Sequence, residues 1–225
     1  MNRINLEGKV AVVNGASRGI GEAIARGLAD CGAQVVLSSR SLEGVQAVAD
    51  SINGDGGKAV ARACHAGRLD QIEALFGHVA ETFGRLDILI NNAATNPYYG
   101  PATGLAPDAF DKTVEVNLKG PYYMSSAAIP LMAEGGGGSI VNVASIAALT
   151  VLPGQAVYSM TKAGLISLTR SFAREYGQQG IRVNAILPGV VKTRFAQALT
   201  EDPSIQKWLS RLPVPRAGKP EDMVG

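Results

Sequence analysis

Cysteine and histidine are scarce in this 225-residue chain, with two of each. Cys31 and Cys64 belong to no C-x-x-C pair, which excludes a disulfide framework and a thiolate metal site. His65 and His78 lack carboxylates at metal-binding spacing, so no metal is expected. Charged residues make up only 18% and the formal net charge is +2, with Lys and Arg scattered along the chain. That pattern excludes a nucleic-acid-binding stripe or a basic tail. No apolar run reaches the roughly 18 residues of a membrane span, and the segment Met1–Ser17 has no hydrophobic stretch followed by a cleavage signal. The expectation is a protein of the reducing cytosol, without membrane or nucleic-acid partners.

What the chain does have is apolar residues (46%) and glycine (27 residues), enough for a full core with many tight backbone positions. Short apolar runs alternate with longer segments of helical period. Strands are expected at Lys9–Asn14, Gln34–Ser39, Lys58–Cys64, Leu86–Ile90, Ser139–Val143 and Arg182–Leu187. Helices are expected at Gly19–Cys31, Leu42–Asn53, Leu69–Phe83, Pro107–Met132 and Gln155–Gly177. The alternation predicts an α/β protein: a Rossmann-like doubly wound parallel sheet in three α/β/α layers, forming one domain over residues 1–225. The Gly-rich run Glu134–Ser139 reads as a helix-to-strand turn and not as a linker. Thr193–Leu212 reads as an irregular helical excursion able to cover a pocket, and Pro220 as the start of a further helix.

Two segments carry chemistry. The first, "VVNGASRGIGEAIA", runs from a strand through Gly15, Gly19 and Gly21 into a helix. Glycines there let the backbone approach a pyrophosphate while helix-terminal N–H groups donate to it. The spacing G-x-x-x-G-x-G differs from the common G-x-G-x-x-G, so it is the strand-before and helix-after context that points to a dinucleotide. At the end of the second strand stand Ser38, Ser39 and Arg40, with Arg18 in the glycine turn and no acid. An acidic residue would accept from a bare ribose, whereas cations meet a 2′-phosphate, so NADP(H) is expected over NAD(H). The second segment contains Tyr158 and Lys162, four residues apart and thus on one helix face, with Ser145 closing an apolar run upstream. A nearby ammonium would favour the phenolate, and Ser145 could hold a carbonyl oxygen. Taken singly, each of these residues has a plain structural alternative; their combination is what points to hydride and proton transfer.

Taken together, "NGASRGIG", "NNAA", Asn117 in "VNLKG", Ser145, "YSMTK" and "LPGVVKT" resemble the classical short-chain dehydrogenase/reductase family over Gly8–Gly225. The resemblance implies a catalytic tetrad of Asn117, Ser145, Tyr158 and Lys162, with Asn117 interrupting a long helix and holding a water that links Lys162 to proton exchange. It assigns Gly15, Ser17, Gly19, Ile20 and Gly21 to the phosphate turn, Asn91 and Ala93 to the adenosine side, and Pro188, Gly189, Val191 and Thr193 to the nicotinamide; Tyr158 and Lys162 would also contact the cofactor. Two departures stand out. Asn14 replaces the usual threonine, and "CHAG" (Cys64–Gly67) replaces an Asp-Val pair that contacts adenine, leaving that contact to backbone groups or His65. "CHAG" and "NNAATNPYYG" further resemble the NADP-dependent carbonyl and retinal reductases.

By this resemblance the chain is an NADP(H)-dependent oxidoreductase acting on a small-molecule ketone or secondary alcohol. The pocket residues would be Tyr98, Tyr99, Ala147, Leu149, Leu152, Gln155 and Phe195, whose mostly apolar character suits a neutral carbonyl. Two alternatives remain: a 3-oxoacyl-[acyl-carrier-protein] reductase, for which Arg194 and Lys207 are the available cations, and an NADP-binding sensor or scaffold without turnover. The family also implies a homo-oligomer, a tetramer or dimer formed through the long helices ending near Met132 and Gly177. It usually has a further helix and last strand beyond Gly225, which this sheet is expected to lack.

Overall fold

A computed structural model describes residues 4–151, 153–200 and 203–224. Six strands, β1 (Val10–Asn14), β2 (Gln34–Ser39), β3 (Lys58–Ala63), β4 (Ile88–Asn91), β5 (Gly138–Val143) and β6 (Ile181–Ile186), form one parallel sheet in the order β3-β2-β1-β4-β5-β6. β6 is an edge: among the described residues no strand pairs with its outer side. The helices are α1 (Gly19–Asp30), α2 (Leu42–Gly54), α3 (Leu69–Phe83), α4 (Pro107–Val114), α5 (Gly120–Glu134), α6 (Ala156–Tyr176), α7 (Gln197–Thr200) and α8 (Pro203–Leu209).

The three layers follow from the strand sequences. In β1 every residue is buried, so the strand is covered on both faces and its side chains divide by period two. Val10 and Val12 pack with Ile72 and Val79 of α3, Met124 and Ala128 of α5 and Phe172 of α6. Ala11 and Val13 pack on the other face with Ile24 and Ala25 of α1 and Val45 and Val48 of α2. A shift of one residue in register would exchange these two sets, which fixes the pairing.

Element ends differ from the sequence expectation by one or two residues, as helix and strand termini commonly do. The larger difference is in the expected helix Pro107–Met132. It is broken by a π turn, Glu115–Lys119, and α5 then runs on to Glu134. Pro121, which has no N–H to donate, stands just after the break, and Asn117 lies inside the turn with no exposed surface. Near the C-terminus Pro220 opens only a 3₁₀ turn, Pro220–Met223, where a helix was expected. The strap from Thr193 to Leu212 comprises a 3₁₀ turn, α7 and α8, and Trp208, Ile205 and Leu212 pack onto Val190, Leu209 and Ala217.

Candidate active site

The strand order reverses between β1 and β4, and at the carboxyl ends of the strands around this switch point a cleft of about 840 Å³ opens. Its nucleotide half is the β1–α1 turn. Gly15 has φ +77° and Gly19 φ +61°, a region other residues rarely adopt. A Cβ on Gly15 would lie 2.7 Å from the Ala93 amide nitrogen. A Cβ on Gly21 would run into the Gly15 carbonyl oxygen and the Asn92 side chain. Asn92 Nδ2 donates to that same carbonyl at 2.9 Å, so the β4 loop holds the turn in place. α1 has no side-chain cap, which leaves its first N–H groups available at the cleft.

Gly15, Ser17, Arg18, Gly19, Ile20, Ser39, Arg40, Ala93, Ser145, Tyr158, Lys162, Pro188, Gly189, Val191 and Thr193 all border the cleft. Three expected site residues do not. Gly21 acts behind the turn by close packing. The Asn91 amide points into the interior, where Nδ2 donates to Asn142 Oδ1 at 2.9 Å and to Ser125 Oγ at 3.1 Å. The Asn117 side chain clamps the loop after β4: Oδ1 accepts from the Thr95 N–H at 2.8 Å, and Nδ2 donates to the Thr95 carbonyl at 2.9 Å and to Thr161 Oγ1 at 3.3 Å. The Ser39 hydroxyl is spent on the Ser41 carbonyl at 2.8 Å, which leaves Arg40 and Arg18 as the charged groups at that end.

The residues present fit a dinucleotide. The lining contains Arg18, Arg40, Lys162 and Arg194 and, among the described residues, no Asp or Glu. A cleft of this size with cations, uncapped helix N–H groups and a turn too tight for any side chain suits a phosphorylated ligand. His65 borders the same end. Its Nδ1 accepts from the Gly67 N–H at 3.0 Å and its Nε2 lies 2.9 Å from Lys112 Nζ. Burial and then the Lys112 charge hold this imidazole below its ordinary pKa.

In the chemical half, β5 ends at Val143 and Ser145 follows in extended backbone as the cap of a short 3₁₀ turn. Ser145 Oγ accepts from the Ala147 N–H at 3.1 Å, and the Ser145 hydroxyl stands on the same cleft wall as the Tyr158 phenol, near enough to act on its pKa. Tyr158 and Lys162 lie one turn apart on α6. Burial pushes the phenol pKa up, and the nearby Ser145 hydroxyl only partly offsets this. The lowering of the phenol expected from Lys162 does not show in the net shift, which burial dominates. Lys162 Nζ donates to the Val143 carbonyl at 2.7 Å and sits 5.7 Å from the centroid of the Tyr158 ring. Burial in turn brings the Lys162 ammonium down to about 8.

That shift has a stability consequence. The folded pKa of Lys162 lies below its ordinary value of 10.5, so folding carries a penalty for the charged form that is full below about pH 8 and fades as pH rises towards 10.5. Lys162→Met should therefore raise stability at pH 7 by about 2 kcal/mol, net of the lost hydrogen bond, with the gain closing at high pH. Urea unfolding of both proteins at pH 7 and pH 10 tests this; an equal difference at both pH values would refute it.

Of the expected pocket residues, Tyr99, Ala147, Gln155 and Phe195 border the cleft. Phe195 stacks obliquely near Tyr158, with ring centroids 6.1 Å apart. Tyr98 instead donates from its hydroxyl to the Pro101 carbonyl at 2.9 Å, and Leu149 is 72% exposed away from the cleft. Leu152 lies outside the described residues. Asn92, in the stretch after the fourth strand, ties the β4 loop to the glycine turn, whereas sequence reasoning passed over Thr95, Asn96 and the Val143 carbonyl.

Comparison with known proteins agrees with this arrangement. A family model described as enoyl-(acyl carrier protein) reductase matches residues 15–225. The human protein named dehydrogenase/reductase SDR family member 4 is 39% identical over 221 residues, covering 98% of this chain and 80% of its own length. Among solved structures, a gluconate 5-dehydrogenase from Burkholderia cenocepacia in complex with NADP and tartrate superposes with a TM-score of 0.94 at 30% identity, covering 100% of this chain and 88% of its own. A short-chain type dehydrogenase/reductase from Mycobacterium marinum gives 0.93 at 31%, with the same two coverages. Fold, cleft and relatives together show an NAD(P)-dependent oxidoreductase, and the chain belongs to the short-chain dehydrogenase/reductase family.

Proposed function

We propose that the protein is an NADP(H)-dependent carbonyl reductase, related to the carbonyl and retinal reductase branch, that interconverts a small or medium ketone and its secondary alcohol. The observation that carries this reading is the convergence of Ser145, Tyr158 and a buried Lys162 on the wall of the cleft that also holds the glycine turn. Held by the glycine turn, Pro188, Gly189 and Thr193, a reduced nicotinamide would supply the hydride that the carbonyl carbon takes, and would itself be oxidised. As the C=O π pair moves onto oxygen, Ser145 donates a hydrogen bond to that oxygen and Tyr158 gives it the phenolic proton. Because the phenol is held protonated, it is set up as the acid of the reductive direction. Lys162 positions the site and supplies positive charge beneath the ring. Asn117 acts through Thr95 as a positioning residue, by fixing the loop beside the substrate.

NADP(H) preference rests on Arg18 and Arg40 at the β2 end and on the lack of any acid among the described lining residues. Arg40→Asp should lower the NADPH-over-NADH ratio of kcat/KM by roughly 10–100-fold, the range of a lost charge-assisted contact. Saturation curves with both cofactors would show it, and an unchanged ratio would remove Arg40 from the assignment.

The test of the function is NADPH consumption against a panel of ketones, with β-ketoacyl and enoyl thioesters as further arms. Ketone turnover is expected. Turnover of the thioesters alone would favour a carrier-protein substrate, and cofactor binding without any turnover would favour a sensor. As a further part of this reading, residues 1–225 act as one catalytic domain in the cytoplasm and assemble as a dimer or tetramer through α5 and α6. There the exposed Tyr122 of α5 packs against its neighbour Tyr123 and against Phe172 of α6, which in turn meets Tyr176.

A further inference from the structure

The substrate end of the cleft is more polar than the sequence led us to expect. Three side chains face it without a protein partner among the described residues. Gln155 is only 5% exposed, yet its amide makes no hydrogen bond to the protein and remains open to the cleft. Asn96 follows the Thr95 backbone that Asn117 clamps, and it borders both the main cleft and a small side cavity that it shares with Gln155 and Tyr158. Arg194 sits between Thr193, whose methyl abuts the glycine turn, and Phe195, which faces the Tyr158 ring. Among the described residues its guanidinium makes no ion pair or hydrogen bond, and none of the described lining residues is a carboxylate that could neutralise it.

Arg18 and Arg40 lie at the far end, by β2, and Lys162 lies beneath the phenol, so among the described lining residues Arg194, adjacent in the chain to the Phe195 that faces Tyr158, is the cation that no other role has absorbed. Among the described residues the Gln155 amide makes no protein hydrogen bond and opens on the cleft, so its donors and acceptor are free to meet a polar ligand there. An arginine presents a planar fork matched to a carboxylate, and amides on the same wall can bond the remaining oxygens.

We propose that the carbonyl substrate is an oxo-acid, its carboxylate held by Arg194 and its polar atoms oriented by Asn96 and Gln155; this rests on the carbonyl reductase reading and narrows it. The reaction is unchanged in balance: the ketone carbon of the oxo-acid takes the hydride, its oxygen takes the Tyr158 proton, and the carboxylate stays ionised throughout.

The experiment compares three matched pairs with NADPH: acetoacetate, 4-oxopentanoate and 5-oxohexanoate, each against its methyl ester. At least one acid should exceed its ester in kcat/KM by 10-fold or more. Arg194→Ala should reduce that acid-over-ester preference at least 10-fold, chiefly through KM for the acid, with Arg194→Lys recovering part of it. Gln155→Leu should raise KM for the same acid. Equal kcat/KM for acids and esters, with ketones turned over normally, overturns this inference and leaves the reductase standing. A rise in KM for NADPH in place of the acid would make Arg194 a cofactor-phosphate group and overturns it too. Absence of turnover with any ketone would instead sink the reading on which it rests.

Discussion

Replacing Tyr158 by phenylalanine should lower kcat for ketone reduction by about 10³-fold while NADPH still binds, the scale set by losing a positioned general acid. The expectation follows from where the proton is. Burial holds it on the phenol, Ser145 lines the same cleft wall, and Lys162 is engaged with the Val143 carbonyl. No other group described at the site carries a transferable proton in the same place. The measurement is single-turnover reduction with NADPH pre-bound, which separates chemistry from binding. A variant that keeps more than a tenth of the wild-type rate would move the acid to another residue or to water.

The second large effect concerns a residue that never touches the cleft. Gly21→Ala should destabilise the protein by about 3 kcal/mol or more, because the new methyl must displace backbone at Gly15 and the side chain of Asn92. For a chain of this size that corresponds to a fall in Tm of roughly 6–12 °C. NADPH should then lose its ability to raise Tm, since the turn that cradles it has been forced open. Gly77→Ala, in α3 with no neighbour within 4 Å, is the control: it removes the backbone entropy cost of glycine and should gain about 0.5–1 kcal/mol. If Gly21→Ala melts like the wild type and responds normally to NADPH, the turn is not packed as described.

These two residues show how unevenly function could be read from the chain. The layers were legible because period-two burial in the strands and period-3.6 burial in the helices are written residue by residue, as in Val10 to Asn14. The sharing of one cleft by Ser145, Tyr158 and Lys162 was legible because a strand end and a single helix turn are short, stiff distances. What was not legible is where amides and carbonyls point. Asn91 and Asn92 are neighbours of identical chemistry, yet one turns inward to Asn142 and the other outward to the Gly15 carbonyl, as alternate residues of a strand end do. The break of the Pro107–Met132 helix into a π turn depends on Thr95 reaching Asn117 across more than twenty positions, which no local pattern encodes. Lys162 likewise takes its bond from a backbone atom, and backbone atoms have no signature in sequence.

The strand order carries a consequence for how the molecule is made. β1 occupies the middle of the sheet, with β2 on one side and β4 on the other. β2 follows it closely, but Asn14 meets its second partner, Asn91, only after the whole β2–α2–β3–α3 stretch has been synthesised. At about 5–20 residues per second, the apolar strand Val10–Asn14 leaves the ribosome and waits roughly 4–15 seconds with one hydrogen-bonding edge open. During that interval α1 and α2 can cover one face, while the other face and the open edge invite pairing with a second nascent chain. The yield of this protein should therefore be sensitive to translation speed and to chaperones acting on its first hundred residues, well before Tyr158 has been added.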